Sequence, residues 1–203
     1  MTLELLAADD ERLVSSTDLG VARSLVESSV GVDEGQAGLR SDILAFVDAH
    51  PDAALRSCHD GHLTGSALVV DASAERILVL YHRKAQRWLQ PGGHADGDTN
   101  LAAVALREAT EETGIGGLRV AVPAVDLDVH RVHFTGEHAH LHLDVRFLVV
   151  APAGAIAEGN DESEAVRWVT PVELAQLDGV DAGTIRMASR GLALAGELGE
   201  IEA

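Results

Sequence analysis

Four residues within six positions carry the first chemical signal, Arg107-Glu108 and Glu111-Glu112. At roughly 100° per residue, Glu108, Glu111 and Glu112 fall within about a 100° arc if the segment is helical. Three carboxylates on one stripe repel one another, and like charges four residues apart, as at Glu108 and Glu112, destabilise an isolated helix. Arg107 stands one turn before Glu111 and relieves part of that repulsion. A hard divalent cation would relieve the rest, because Mg2+ takes one or two protein carboxylates together with waters and phosphate oxygens. Taken alone, the stripe reads equally as a solvated acidic helix face. Its neighbours favour a site: a Gly-rich loop, Pro91-Gly92-Gly93-His94-Ala95-Asp96-Gly97-Asp98, lies upstream, and Gly114 lies downstream.

Other residues offer chemistry less sharply. His138, His140, His142, Asp144 and Arg146 alternate with Leu141, Leu143, Val145 and Phe147, so period two places the polar set on one strand face. The expected reading is an outer, half-buried strand face. A ligand-facing wall and a histidine-bound structural metal are the alternatives, since imidazole suits transition metals. His82, Arg83, Lys84 and Arg87 make a local basic patch that reads either as an anion contact or as a solvated turn. Cys58 has no visible feature that would lower its pKa, and is expected to be inert.

The elements that must position these groups follow from local pattern. Residues 1–61 read as helical. Ser16-Thr17-Asp18 offers N-cap side chains before Val21, Leu25 and Val26. Gly31, Gly35 and Gly38 break that helix. Leu39, Ile43, Phe46, Val47 and His50 then form an apolar stripe stopped by Pro51. From His62 the texture is strand-rich: 63–71, 76–82 and 87–90, then the Gly-rich loop. Residues 100–113 are a strong helix, with small apolar residues (Ala102, Ala103, Leu106, Ala109) opposite the carboxylates and a Gly114-Ile115 C-cap. Strands follow at 118–122, 125–134, 139–150 and 166–169, the middle pair joined around Thr135-Gly136. Thr170-Pro171-Val172-Glu173 is a capping box that starts a helix, and a last helix covers 182–194. Helices, then strands around one central helix, then helices make an α+β chain. Its divisions are an N-terminal helical extension (1–61), a strand-rich domain that carries the candidate catalytic residues (62–180) and a C-terminal helix packed on the core (181–203).

The stretch Gly93 to Ile115 resembles the Nudix box, a loop–helix–loop motif written G-x5-E-x7-R-E-U-x-E-E-x-G-U with U aliphatic. Arg107, Glu108, Ala109, Glu111, Glu112, Gly114 and Ile115 match in order, at the right distance from Gly93. One position departs: the first Glu falls on Thr99, with Asp98 one residue early, and a one-residue shift in the loop would bring Asp98 into that role. The likeness extends over roughly 62–178, through Glu162, Arg167-Trp168 and Glu173-Leu174. It implies an α/β/α sandwich with a mixed sheet and a pyrophosphohydrolase acting on a diphosphate linkage in a nucleoside diphosphate derivative. Mg2+ or Mn2+ would be held by Glu108, Glu111 and Glu112, with Arg107 orienting them. One Glu, from the helix or Glu162 in the late loop, would take the proton from the attacking water. Gly92 and Gly93 would let the backbone approach ligand and helix, and Arg83, Lys84, Arg87 and His140 would contact substrate. An isoprenoid-type diphosphate isomerase shares the fold but needs a catalytic Cys, and Cys58 precedes the core. A non-catalytic ligand-sensing module usually lacks the box carboxylates, and the three on the helix, Glu108, Glu111 and Glu112, are present here.

Composition sets the outer bounds. The chain has 203 residues, 46% apolar, enough for a packed core. Lys+Arg is 15 against Asp+Glu 33, a formal net charge of -18, which argues against a nucleic acid polymer as partner. Aromatics at 3% leave no stacking platform for single strands. One cysteine excludes an intrachain disulfide and a thiolate metal cage. The acidic N-terminus does not look like a signal peptide, and no apolar run approaches the ~20 residues that span a bilayer. The expectation is a cytoplasmic protein with a small-molecule diphosphate as partner and no membrane, a homodimer being a compatible assembly.

Overall fold

A computed structural model describes residues 2–31, 33–133 and 138–198. In chain order these hold β1 (Glu4–Leu6), α1 (Leu19–Ser28), α2 (Glu34–Ala49), β2 (Gly61–Val70), β3 (Ile77–His82), β4 (Arg87–Leu89) and β5 (Gly92–His94). Then come α3 (Leu101–Thr113), β6 (Arg119–Val122), β7 (Asp126–Val132), β8 (His140–Val150), β9 (Ser163–Val169), α4 (Pro171–Leu174) and α5 (Ala182–Glu197). The strands form one mixed sheet around a parallel pair, β2 and β8, in register from Gly61 opposite Leu141 to Val70 opposite Val150. Every other pairing is antiparallel. β7 and then β6 flank β8, β5 and then β3 flank β2, β3 carries β4 and β9, and β1 extends β6.

Strand alternation divides the side chains between two layers. Leu63, Ala67 and Val69 of β2 and Leu143, Val145, Phe147 and Val149 of β8 share a core with Val104 and Ala105 of α3, Val26 of α1 and Ile43 of α2. Leu68, Val70, Leu148 and Val150 face the other way, against Met187, Ala188 and Ala195 of α5. The expected sandwich of helices on both faces of a mixed sheet is therefore present. α3 can lie close on the sheet because Gly65 faces it: a Cβ there would come within 2.8 Å of the Leu101 carbonyl. The helix begins at Asn100, whose side chain accepts from the Ala103 amide, and ends at Gly114 with φ +66°. The Thr170–Glu173 capping box forms as expected.

On the second face the rows change character toward the start of β2 and β8. His62, Thr64 and Ser66 stand beside His142, Asp144 and Arg146. Arg146, only 2% exposed, meets Asp126, Asp128 and Asp144, while Arg186 and Arg190 of α5 also reach Asp126. Arg190 continues to Asp33, the N-cap of α2. One ionic cluster thus fastens α5 and α2 to the sheet.

Three local expectations change. Gly35 and Gly38 lie inside α2 instead of breaking the helix, because the Asp33 side chain caps Gln36 and the buried Gln36 amide both donates to and accepts from the Leu127 backbone. Gly92–His94, expected as loop, pairs with Thr64–Ser66 as β5. The N-terminal segment contributes β1 as well as helices, three residues being too few to show a period. The turn around Thr135-Gly136 and the end of the 125–134 strand lie outside the described residues.

Candidate active site

The carboxylates of α3 are set beside β5 by backbone contacts that glycine permits. The Gly92 amide donates to Glu112 Oε2 at 2.8 Å. A Cβ on Gly93 would overlap the Glu108 carboxylate, and one on Gly92 would overlap Ser66. Glu112 is 5% exposed, and burial pushes its carboxyl up to about 8. Burial also raises Glu108, opposed by the Arg107 guanidinium 2.8 Å from its Oε1. Glu111 shares the stripe but stays exposed, outside the cavity lining.

Glu108 and Glu112 open onto a cavity of about 580 Å3, which Glu162, His82, Lys84 and Arg87 also line. Glu162 Oε2 lies 4.0 Å from His82 Nε2. The Arg87 guanidinium lies 3.9 Å from Asp181, and its buried Nε makes no hydrogen bond among the described residues. Arg83, expected to contact substrate, is turned elsewhere. Its guanidinium donates to the Asp161 carbonyl at 3.1 Å and its amide to the Glu162 carbonyl at 2.8 Å, so it positions the late loop.

The histidine row is corrected. His138, His140 and His142 line the same cavity as Glu108 and Glu112 and do not form an outer face. Parallel pairing brings His62 beside His142, and β5 brings His94, two histidines the sequence pattern did not group with the row. Their signal is three-dimensional: four imidazoles from three strands. Asp98 and Thr99 are also settled. Asp98 Oδ1 accepts from the Ser16 and Asn100 amides, while Thr99 Oγ1 donates to the Ser16 and Asp18 carbonyls. Asn100 Nδ2 adds bonds to the Arg12 and Val14 carbonyls. This pair anchors the loop to the N-terminal segment, and Asp98 does not take the place of the first Glu. Cys58, expected outside the core, lies in the cavity wall, where burial and then Asp52 push its thiol up.

The donor set near α3 fits a hard divalent cation. Glu108, Glu111 and Glu112 offer oxygen ligands, and the missing Gly93 side chain leaves the room that the Glu108 carboxylate occupies.

The NUDIX domain family matches residues 62–188. The chain belongs to the Nudix family. Solved structures share the fold. A NUDIX-family hydrolase from Clostridium perfringens is 20% identical with a TM-score of 0.52, covering 66% of this chain and 97% of its own. A C. elegans Ap4A hydrolase is 15% identical with a TM-score of 0.54, covering 66% and 98%. RenU, a Nudix hydrolase from M. smegmatis, is 19% identical with a TM-score of 0.52, covering 70% and 91%. No curated protein gives a sequence match. No helix among the described residues is long and apolar enough to cross a membrane.

Proposed function

We propose that the chain hydrolyses the diphosphate linkage of a small nucleoside diphosphate derivative in the cytoplasm, with Mg2+ or Mn2+ held by Glu108, Glu111 and Glu112. The observation that carries this reading is the shared cavity, which Glu108, Glu112, Glu162, Lys84 and Arg87 all line. A bound divalent cation neutralises charge on the phosphoryl oxygens. Lys84 and Arg87 hold the outer phosphate oxygens. Water attacks one phosphorus; the new P–O bond forms as the bridging P–O bond breaks. Glu162, beside His82 in the cavity lining, accepts the proton of that water. Arg107 and the Gly92 amide keep the α3 carboxylates from rotating out of place.

A panel of nucleoside diphosphate sugars, dinucleoside polyphosphates, dNTPs and coenzyme diphosphates with Mg2+ tests the reading. Release of two phosphorylated products from at least one of them is the expected result. Rearrangement of isopentenyl diphosphate without cleavage would assign an isomerase instead. Binding without turnover across the panel would assign a sensing module.

A further inference from the structure

Four histidines converge on the sheet face of the cavity, away from α3. One ligand atom from each of His62, His94, His140 and His142 lies within 4.8 Å of the others. His62 comes from β2, His94 from β5, and His140 and His142 from alternate positions of β8. Their rings stand 4.7 to 5.2 Å apart, centre to centre. His62 is 3% exposed, and neither of its ring nitrogens makes a hydrogen bond of normal geometry among the described residues. The same holds for Nε2 of His140 and of His142. Buried polar atoms nearly always find partners, so unpartnered nitrogens on three neighbouring rings call for a ligand.

The tautomers suit coordination. His140 Nδ1 lies 2.8 Å from the His138 carbonyl, which makes it the protonated nitrogen and leaves the Nε2 lone pair facing the cluster. His130 stands 5.5 Å from the His142 ring, its Nδ1 bound to Asp128 at 3.0 Å, as an outer support.

We infer that His62, His94, His140 and His142 form a binding site for a borderline transition-metal ion of the Zn2+ type, separate from the carboxylate site on α3. Imidazole nitrogen suits Zn2+, and carboxylate oxygen suits Mg2+, so the two donor sets select different ions within one cavity. Tetrahedral zinc with bonds of about 2.0–2.1 Å needs donor atoms roughly 3.4 Å apart, a contraction that side-chain rotation supplies. The strands supply a rigid base: His62 and His142 are fixed by the parallel register, and β5 is tied to β2 beside them. An ion there would pin β5, and with it Gly92 and Gly93, against the central strands.

The test is calorimetric titration of Zn2+ into chelator-stripped protein lacking a polyhistidine tag, with millimolar Mg2+ present. One Zn2+ per chain with a Kd below about 1 µM is expected. His140→Ala/His142→Ala should weaken binding by about tenfold or more, while Glu111→Gln/Glu112→Gln should keep it whether or not the chain is a hydrolase. Absence of Zn2+ binding in the wild type, or unchanged affinity in the histidine variant, overturns the site. Should that variant not fold, Co2+ in the wild type decides. A tetrahedral visible spectrum with nitrogen-only ligands by X-ray absorption supports the site, and an octahedral oxygen-rich spectrum overturns it.

Discussion

The Gly92 amide and the Glu112 carboxylate share a 2.8 Å hydrogen bond across twenty residues of sequence, joining β5 to the last turn of α3. The bond fixes a buried carboxylate at the cavity wall. Glu112→Gln keeps an oxygen for that amide and removes the charge. Turnover should fall by roughly 100-fold or more at saturating Mg2+, with the circular dichroism spectrum unchanged. Glu111→Gln should do the same if its exposed carboxylate also ligates. Normal turnover in either variant would make that residue a spectator.

The same burial predicts a pH dependence for the metal-free protein. Glu112 titrates at about 8 in the folded chain, against about 4.3 unfolded. Its folded pKa is raised, so its contribution to stability is complete below the unfolded value and lost as pH rises through the folded one. In chelator, urea midpoints of the wild type should therefore fall relative to those of Glu112→Gln between about pH 5 and about pH 9. A difference between the two proteins that stays constant with pH would refute this.

Gly93→Ala places a methyl group where the Glu108 carboxylate lies. The Mg2+ concentration giving half-maximal activity should rise by about tenfold or more, with a smaller loss of melting temperature. An unshifted Mg2+ curve would show that Glu108 is free to move aside.

Arg146→Met tests the stability that the ionic cluster contributes. Against the pull of burial, His130, Arg146 and Arg186 hold the Asp128 carboxyl well below the usual range. Removing Arg146 leaves Asp144 and Asp128 buried or half-buried without that partner, although Arg186 and Arg190 still reach Asp126. Denaturant unfolding should show a loss of about 3–5 kcal/mol. A loss under 1 kcal/mol, roughly the value of a surface pair, would mean that the cluster is hydrated.

Chelator should abolish hydrolysis, and Mg2+ or Mn2+ should restore it. Added Mg2+ should also raise the melting temperature, because it binds the native carboxylate arrangement preferentially. Activity that persists in excess chelator would remove the metal assignment.

Long periodic elements and the α3 site were legible in the sequence because their information is local. Glu108, Glu111 and Glu112 share a stripe by helical geometry alone, and Asn100 and Gly114 mark the ends of that helix. The histidine row showed its alternation but not its surroundings. Which face of β8 is covered depends on pairing with β2 and β7, a relation between segments tens of residues apart. Arg83 misled for a related reason: its charge is local information, but its partners, the carbonyls of Asp161 and Ser163, belong to a distant loop. Thr99 departs from the motif at a position that bonds to the N-terminal segment, which the motif does not contain.

That last contact separates inheritance from folding. The family likeness begins at residue 62, yet the loop entering α3 is buttoned to residues 12–18 through Asp98, Thr99 and Asn100. A chain shortened to the inherited segment would keep every letter of the Nudix box. It would leave the hydroxyl of Thr99 and the amide of Asn100 without acceptors, and the edge of β6 bare. The segment that matches the family is therefore smaller than the segment whose hydrogen bonds hold the loop before α3.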